Sequence, residues 1–274
     1  MNTLSTSPAQ PSQTVPRPRG QSLLTASGLS KSFGGVQAVR STSFVVEQGT
    51  VLAVIGPNGA GKSTLINLLT GVHAPDAGQV NFAGADITKT VPYKRARLGL
   101  ARSFQKIRLF KQLSVLENVV AGFHTRQSLS AWQYVIHGGA FRKAQSAVRS
   151  EAMELLSYVG LADEAHIAAG SLAYGKQRLL EIARALALRP TLLLLDEPAA
   201  GLNPVEVDRM LIHLAGLRGQ GLTLLVVEHN MDLVMNLADH ILVMNHGEPL
   251  FDGAPADVQN NPAVIKAYLG EYQA

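Results

Sequence analysis

Apolar and polar residues alternate along VQAVRSTSFVVEQ, and a short unbroken apolar run follows in TVLAVIG. Strict alternation is typical of a strand with one buried face, whereas a short apolar run bounded by turn residues is typical of a fully buried strand. Gly49 marks a turn between the two segments. The pattern therefore predicts two consecutive strands, the second ending at Ile55, and a helix from about Lys62 onward. Polar and glycine-containing turns are predicted from the end of that helix to residue 90.

Helical periodicity replaces this pattern between residues 106 and 170. The segments SVLENVVAGF and RKAQSAVRSEAMELLSYVGL repeat apolar residues at three- and four-residue spacing, which is typical of helices with one buried face. In the second segment that face comprises Ala144, Val148, Leu155, Leu156 and Val159. A further helix, in RLLEIARALALRP, ends before Pro190 and has on one face Leu179, Ile182, Ala183, Leu186 and Ala187. We therefore expect an inserted helical subdomain at about residues 106–175.

Strand and helix patterns alternate in the remainder of the chain: TLLLLDEP, PVEVDRMLIHLAGLRGQG, LTLLVVEH, NMDLVMNLADH and ILVMNHGE. This alternation is typical of an α/β fold, in which helices connect the strands of a parallel sheet and the ligand binds at the carboxyl ends of the strands. We expect one domain over residues 22–252, preceded by a disordered leader at 1–21 that is rich in Ser, Thr, Pro and Gln. Residues 253–274 are predicted to form a helical tail, with Pro262 in the first turn of a helix.

The amino-acid composition excludes several classes of protein as interpretations of this sequence. The chain has 274 residues, 46% of them hydrophobic and 16% charged, which is typical of a globular protein with a substantial core. It contains no cysteine, so a disulfide scaffold and thiolate chemistry are excluded. No apolar run approaches the roughly 20 residues that span a bilayer, and the first residues lack the apolar core of a signal peptide. The net charge of +4 is compatible with nucleotide, nucleic acid or an anionic membrane surface and does not select among them.

The segment GPNGAGKST has the spacing of a phosphate-binding loop, G-x-x-x-x-G-K-[ST], and lies between a predicted strand and a predicted helix. In such a loop the glycines let successive backbone N–H groups converge on phosphate oxygens. Lys62 would neutralise the β- and γ-phosphates of a nucleotide, and Ser63 would bind Mg²⁺. The candidate nucleotide-binding residues of this loop are Gly56, Pro57, Asn58, Gly59, Ala60, Gly61, Lys62, Ser63 and Thr64.

Acidic and imidazole side chains follow two other predicted strands. In LLLLDEP, two acids at the end of an apolar run would be costly unless they meet a cation or water. Asp196 is therefore a candidate partner of Mg²⁺, and Glu197 is a candidate general base. In VVEHN, His229 is a candidate sensor that hydrogen-bonds the γ-phosphate. The alternatives are that the acids cap a strand at the surface and that the histidine is structural.

Three other segments contribute candidates for the same site. Gln105 in ARSFQK is a candidate contact of Mg²⁺ and of the attacking water, with an ordinary surface glutamine as the alternative. Phe33 in LSKSFGG is a candidate adenine-stacking residue, with a place in the core as the alternative. The segment SLAYGKQ leads into a helix N-terminus, where free N–H groups and the positive end of the helix dipole favour an anion.

The order of these motifs resembles the ATP-binding cassette (ABC) family of transport ATPases over the stretch from Leu24 to Gly270. The resemblance implies a P-loop NTPase fold with a parallel-sheet core, an antiparallel β subdomain and an inserted helical subdomain. It also implies that ATP and Mg²⁺ are bound and that two nucleotide domains pair head to tail. In that arrangement a signature segment of the type L-S-G-G-Q in one subunit covers the γ-phosphate bound by the other. Here the corresponding residues are Leu172, Ala173, Tyr174, Gly175 and Lys176.

Departures from the general signature limit the resemblance to one group of subunits within the family. Ala173 and Tyr174 replace the usual Ser and first Gly, and Lys176 replaces the usual Gln. The loop AAGLN at 199–203 likewise replaces an S-A-L-D type of loop. Together with FQ followed by RLF, and the ending NNPAVIKAYLGE, these features are similar to the LivG-type ATPase subunits of branched-chain amino acid importers. The resemblance implies transport-coupled ATP hydrolysis, although importers for other amino acids, urea, amides or small organic acids have similar subunits.

The partners implied by the resemblance are two transmembrane permease subunits, a second ABC ATPase or a second copy of this chain, and indirectly a periplasmic or extracellular solute-binding protein. No nucleic-acid partner is expected, and the expected location is the cytoplasmic face of the inner membrane. Candidates to receive a cytoplasmic permease helix, with internal packing as the alternative, are Ile107, Leu109, Phe110 and Leu113. The competing classes are a soluble ATPase that acts on nucleic acid or the ribosome, and a lipid-exporting cassette.

Overall fold

The computed structural model describes residues 20–103, 105–124 and 138–269. Residues 1–19 of the predicted leader, residues 270–274 of the predicted tail and the side chain of Ala144 lie outside this description. The strands are β1 (Ser22–Phe33), β2 (Val36–Glu47), β3 (Val51–Ile55), β4 (Ala77–Phe82), β5 (Ala85–Asp86), β6 (Leu100–Arg102), β7 (Leu192–Asp196), β8 (Thr223–Val227), β9 (His240–Asn245) and β10 (Glu248–Gly253). The helices are α1 (Lys62–Thr70), α2 (Pro92–Arg97), α3 (Val115–His124), α4 (Gly138–Tyr158), α5 (Tyr174–Leu186), α6 (Pro204–Gly219), α7 (Met231–Leu237), α8 (Pro255–Gln259) and α9 (Pro262–Leu269). Short 3₁₀ helices lie at Ala162–Glu164 and Ala169–Ser171.

A mixed sheet of six strands forms the centre of the described fold, in the order β10-β9-β3-β8-β7-β6. Strands β9, β3, β8, β7 and β6 run parallel, and β10 joins the edge antiparallel to β9. Every residue of β3, β7 and β8 is buried, because both faces of the sheet are covered. This is why these strands have unbroken apolar runs instead of alternation. The predicted parallel sheet with crossover helices is confirmed.

An antiparallel sheet, β2-β1-β4-β5, packs against one face of the central sheet. The cluster of buried apolar side chains that joins the two sheets and α1 includes Leu24, Leu65, Phe82, Leu194 and Leu225. The prediction of turns from α1 to residue 90 is wrong for β4 and β5. Strand β4 buries only two side chains, and its partner β1 is distant in sequence, so local periodicity does not reveal it.

Helix α5 connects the helical segment to the central sheet, because its buried side chains belong to two clusters. Ile182 packs with residues of β7 and α6, whereas Leu180 packs with residues of α3 and α4. Helix α3 approaches α5 so closely that a Cβ at Gly122 would lie 2.5 Å from the carbonyl oxygen of Arg184. Among the described helices, none combines the length and apolarity that a membrane span requires.

Arg95 is a buried cation that ties the C-terminal end of α1 to α2. Arg95 is 1% exposed, and its guanidinium donates to the carbonyl oxygens of Leu68 (2.9 Å), Leu69 (2.6 Å), Thr88 (2.9 Å) and Thr90 (2.8 Å). Two of these carbonyls belong to the last turn of α1, where free carbonyls and the negative end of the dipole favour a cation. Burial lowers the pKa of Arg95 to about 10, so the side chain is still charged at neutral pH.

Replacement of Arg95 by Met should therefore lower the free energy of unfolding by about 3 kcal/mol, because the carbonyl oxygens around it lose their donor. Arg97→Met, on the exposed side of the same helix, removes the same type of side chain and should change stability by about 0.5 kcal/mol or less. Urea denaturation followed by circular dichroism measures both variants. Equal midpoints for the two would contradict the structural role of Arg95.

Candidate active site

The loop from Gly56 to Gly61 connects β3 to α1 and packs tightly against neighbouring backbone. A Cβ at Gly56 would lie 2.1 Å from the carbonyl oxygen of Met244, and a Cβ at Gly61 would lie 2.2 Å from that of Ala38. Both glycines also have positive φ angles, 149° and 97°, which L side chains disfavour. Helix α1 begins directly after Gly61, with no side-chain cap and no acidic residue in its first turn. The positive end of its dipole therefore favours an anion beside this loop.

Lys62 folds back over this loop. Its ammonium donates to the carbonyl oxygens of Gly56 (2.5 Å) and Pro57 (2.9 Å), and the residue is buried. The lysine charge thus lies at the loop that the sequence predicts to bind phosphates. Ser63 and Thr64 follow in the first turn of α1, and Ser63 is exposed. Of the remaining loop residues, Asn58 and Gly59 are exposed and Ala60 is buried.

Asp196, the last residue of β7, forms a buried ion pair with Arg102, the last residue of β6. Arg102 Nη2 lies 2.9 Å from Asp196 Oδ2, and Arg102 Nη1 donates to Asn67 Oδ1 on α1 over 2.7 Å. Burial raises the pKa of Asp196, and the hydrogen bond from Arg102 acts in the opposite direction. Arg102 was not among the residues predicted from the sequence, where its only signal is a charge at the end of the short segment LGLAR.

Glu197 and Gln105 are in contact although they are 92 positions apart. Gln105 Nε2 donates to Glu197 Oε2 over 2.9 Å. Glu197 has a positive φ of 50°, and its N–H donates to the carbonyl oxygen of Val227 at the end of β8. The structure therefore brings the predicted general base together with the glutamine that precedes the helical segment.

His229 follows β8 and is exposed. Its neighbour Glu228 is fully buried and accepts hydrogen bonds from the backbone N–H groups of Ala199, His229 and Asn230. His229 Nδ1 lies 3.8 Å from Glu228 Oε2. Glu228 was not among the predicted residues, because a glutamate that precedes a histidine gives no indication of a contact with residue 199.

Phe33, at the end of β1, is 43% exposed and therefore does not occupy the core. Its ring meets the ring of His73 edge-on, with 5.2 Å between the centroids. The ammonium of Lys31 lies 5.6 Å from the centroid of the Phe33 ring. An exposed ring of this kind offers a face on which a planar base can stack.

The predicted signature segment lies at the N-terminus of α5, which begins at Tyr174. Ala173 provides no side-chain cap, and the first turn of the helix contains no acidic residue. Lys176 Nζ lies 2.5 Å from Glu164 Oε1, so its charge is paired within the chain. Leu172 is buried in the core of the helical segment. The free donors at this helix end are thus backbone N–H groups.

The start of α6 and the loop at 199–203 pack against this segment. A Cβ at Gly175 would lie 2.4 Å from Glu206 Oε1, so a larger side chain would displace that carboxylate. A Cβ at Gly201 would lie 3.1 Å from the ring of Tyr174. The signature segment is therefore positioned by contacts with its own chain.

Oxygen atoms suited to Mg²⁺ are present on Ser63, Gln105 and Asp196, since this ion prefers hydroxyl, carbonyl and carboxylate ligands. In the part of the chain that the structure describes, no three His, Cys, Asp or Glu side chains converge to hold a metal. Mg²⁺ usually takes one or two carboxylates and completes its coordination with water and phosphate. The residues present therefore fit Mg²⁺ bound together with a nucleotide.

A phosphate-binding loop between a parallel strand and a helix, with acids at the end of another strand of the same sheet, defines a P-loop nucleotide-hydrolysing protein. The family model for the ABC transporter matches residues 39–200. A second model, for the branched-chain amino acid ATP-binding cassette transporter, matches residues 248–274. The chain belongs to the ABC transporter family and is a nucleotide-binding ATPase of that family.

Known relatives cover almost the whole chain. It is 44% identical over 250 residues to the high-affinity branched-chain amino acid transport ATP-binding protein BraF of Pseudomonas aeruginosa, covering 91% of this chain and 98% of the relative. It is 42% identical over 252 residues to the corresponding protein LivG of Salmonella typhimurium, with coverage of 92% and 99%. A crystal structure of an ATP-binding cassette from an ABC transporter, in its ADP conformation, is similar with a TM-score of 0.80 and 33% identity, covering 91% of this chain and 99% of that chain. The comparisons confirm the fold class and the family resemblance predicted from the motifs.

Loss of Arg102 would leave Asp196 as a buried carboxylate without its cation. Arg102→Met should therefore lower the free energy of unfolding by about 3 kcal/mol. Arg189→Met is a matched control, because it removes the arginine of an exposed ion pair with Glu151, and it should cost about 0.5 kcal/mol or less. Denaturation of the nucleotide-free protein measures both. A loss for Arg102→Met no larger than that of the control would show that the buried pair does not support the site.

Proposed function

We propose that the chain is the ATP-hydrolysing subunit that energises a membrane importer of branched-chain or related amino acids. The observation that carries the choice of solute is the match of residues 248–274 to the branched-chain model, since this end of the chain lies outside the match to ABC transporters in general. Relatives with 44% and 42% identity are named as transport ATP-binding proteins for these amino acids, which supports the same assignment.

The phosphates of ATP would lie against the N–H groups of the loop at 56–61 and of the first turn of α1. The tightly packed glycines and the uncapped helix N-terminus support this placement. Lys62 would leave the loop carbonyls to neutralise the β- and γ-phosphates. Phe33 would stack on the adenine, for which its exposed ring provides a surface.

Mg²⁺ bound with the nucleotide would neutralise charge that develops on the transferred phosphoryl group. Ser63, Gln105 and Asp196 would hold the ion through their oxygen atoms. Glu197 would take a proton from the attacking water, and the hydrogen bond from Gln105 orients its carboxylate. His229 would donate a hydrogen bond to the γ-phosphate and so distinguish ATP from ADP.

The signature segment at 172–176 would cover the γ-phosphate bound by a second ATPase subunit, either another copy of this chain or a related one. The uncapped N-terminus of α5 supports this role. Because Lys176 is paired with Glu164, we expect backbone N–H groups and the helix dipole to contact the phosphate instead of the lysine.

A cytoplasmic helix of one of the two permease subunits would bind at the surface formed by Phe110 and Leu113, and the chain would then lie at the cytoplasmic face of the membrane. These side chains are 55% and 40% exposed, whereas Ile107 and Leu109 are half-buried. A solute-binding protein on the other side of the membrane would contact the permeases instead of this chain. No nucleic acid takes part in this mechanism.

Uptake of radiolabelled leucine by cells that lack this chain tests the proposed function. The wild-type chain should restore uptake, whereas Glu197→Gln should not, because an amide cannot accept a proton from water. Purified Glu197→Gln should bind Mg-ATP with unchanged affinity and lose about 10²- to 10⁴-fold in turnover. Glu154→Gln, at an exposed position of α4, is the control and should retain both activities.

Two outcomes would contradict separate parts of this proposal. Turnover near the wild-type rate in Glu197→Gln would exclude that residue as the base. Intact ATP hydrolysis by the wild-type chain without leucine uptake would overturn the amino acid assignment, and the same cells would then be tested with urea, amides, organic acids and lipid export.

The permease contact is tested by Phe110→Asp. This change should abolish solute uptake while leaving the ATP affinity of the purified chain unchanged, because a carboxylate cannot be buried against an apolar permease helix without a large cost. Ile212→Asp, at a position that is 69% exposed on α6, is the matched control and should retain uptake. An unchanged uptake rate in Phe110→Asp would remove this surface from the proposed interface.

A further inference from the structure

We propose that Glu228 is a positioning residue of the ATPase site, whose carboxylate ties the loop after Glu197 to the loop that carries His229. The two reactive side chains are thereby held in a fixed relation to each other and to the sheet. This inference rests on the roles proposed above for Glu197 and His229.

The two oxygen atoms of Glu228 serve two different loops. Oε1 accepts a hydrogen bond from the N–H of Ala199 over 2.6 Å. Oε2 accepts from the N–H groups of His229 (2.9 Å) and Asn230 (3.1 Å). Glu228 is 0% exposed, so its side chain contacts neither solvent nor a bound nucleotide directly. It therefore acts through the residues it holds.

Glu228 is itself anchored in the central sheet. It directly follows β8, and its N–H donates to the carbonyl oxygen of Val54 in β3 over 3.3 Å. A buried carboxylate is costly unless hydrogen-bond donors surround it. Here backbone N–H groups of both loops supply those donors, so the carboxylate is stabilised only while both loops are in place.

The loop beyond Glu197 transmits this restraint to the proposed base. Glu197 lies in a tight turn, with a φ of 50°, and its carbonyl oxygen accepts from the N–H of Ala200. Ala199, held by Glu228, is part of the same turn, so its displacement would move the Glu197 carboxylate. On the other side, Asn230 caps α7 by accepting from the N–H of Leu233 over 3.0 Å. Hydrogen bonds to Glu228 thus restrain both the loop after Glu197 and the loop that carries His229.

Glu228→Gln tests the inference with little change in side-chain volume. An amide has one acceptor oxygen, and its NH₂ group would face an N–H donor of one loop, so one of the two loops must lose its restraint. We expect kcat for ATP hydrolysis to fall about 10- to 100-fold, because small misplacements of reacting groups have effects of this size. The KM for Mg-ATP should change less than kcat, because Glu228 accepts its hydrogen bonds from the loops at Ala199 and His229 and not from the phosphate-binding loop.

Thr223→Val is the matched control for a simple loss of stability. Thr223 is 0% exposed and lies at the opposite end of β8, where its Oγ1 accepts from the N–H of Gly49 over 2.9 Å. This variant also removes a hydrogen bond from a buried side chain, but that side chain is hydrogen-bonded to Gly49 and not to either loop of the site. It should lower the midpoint of thermal unfolding without changing kcat. An equal kcat in Glu228→Gln and Thr223→Val would overturn the positioning role.

Amide hydrogen exchange on the nucleotide-free protein provides a readout that does not depend on turnover. In Glu228→Gln, exchange at Ala199, or at His229 and Asn230, should accelerate about tenfold or more, whereas Thr223→Val should leave these amides protected. Unchanged exchange at all three would overturn the inference. If Glu228→Gln does not fold, amide exchange of the wild-type chain tests the link between the loops. Equal free energies of opening for the amides of Ala199, His229 and Asn230 support the link. A different free energy of opening at Ala199 would overturn it.

Two combinations of results separate the role of Glu228 from the roles of Glu197 and His229. Full turnover in Glu197→Gln would exclude Glu197 as the base. Accelerated amide exchange in Glu228→Gln would still establish the link between the two loops. Normal exchange and normal kcat in Glu228→Gln, with an inactive Glu197→Gln, would remove the link and leave the base assignment in place.

Discussion

The register of three parallel strands determines the position of the candidate site. Val54 of β3 pairs with Val227 of β8, and Val227 pairs with Asp196 of β7. The residues that follow therefore leave the sheet at one edge, and these include the phosphate-binding loop, Glu197 and Glu228. A shift in register by one residue would turn every side chain of a strand to the opposite face. The apolar packing of these strands thus fixes the geometry of the site as well as the core.

The long helices and the buried parallel strands were predictable from the sequence, because each of these signals lies within a few neighbouring residues. The candidate site residues were likewise proposed from short local motifs. Contacts between distant residues were not predictable. Arg102 meets Asp196 across 94 positions, and Glu228 meets Ala199 across 29. Neither contact produces a periodic pattern. Strand β4 was missed for the same physical reason, since most of its pairs are formed with the distant strand β1 and only two with the neighbouring strand β5.

A second network of buried polar groups connects the helical segment to the same site. Arg178 on α5 is buried, and it donates to the carbonyl oxygen of Gln105 (2.5 Å) and to the hydroxyl of Tyr174 (3.2 Å). Glu181, one turn along α5, is paired with Arg178. A displacement of the first turn of α5 would therefore move the backbone at Gln105, whose side chain holds Glu197. The position of the proposed base Glu197 thus depends on two buried side chains. Arg178 of α5 acts through the carbonyl group of Gln105, and Glu228 after β8 acts through the N–H group of Ala199.

The unusual residues of the signature segment are explained by contacts within the chain. The ring of Tyr174 packs against Gly201, and Lys176 is paired with Glu164. In the proposed pairing, these existing contacts would lower the entropic cost of ordering the two side chains when a second subunit binds. In the same pairing, α5 would present its N-terminus, which has no side-chain cap, to the phosphate of the second subunit. A rigid set of backbone donors at the positive end of a helix can therefore replace the hydroxyl that Ala173 lacks.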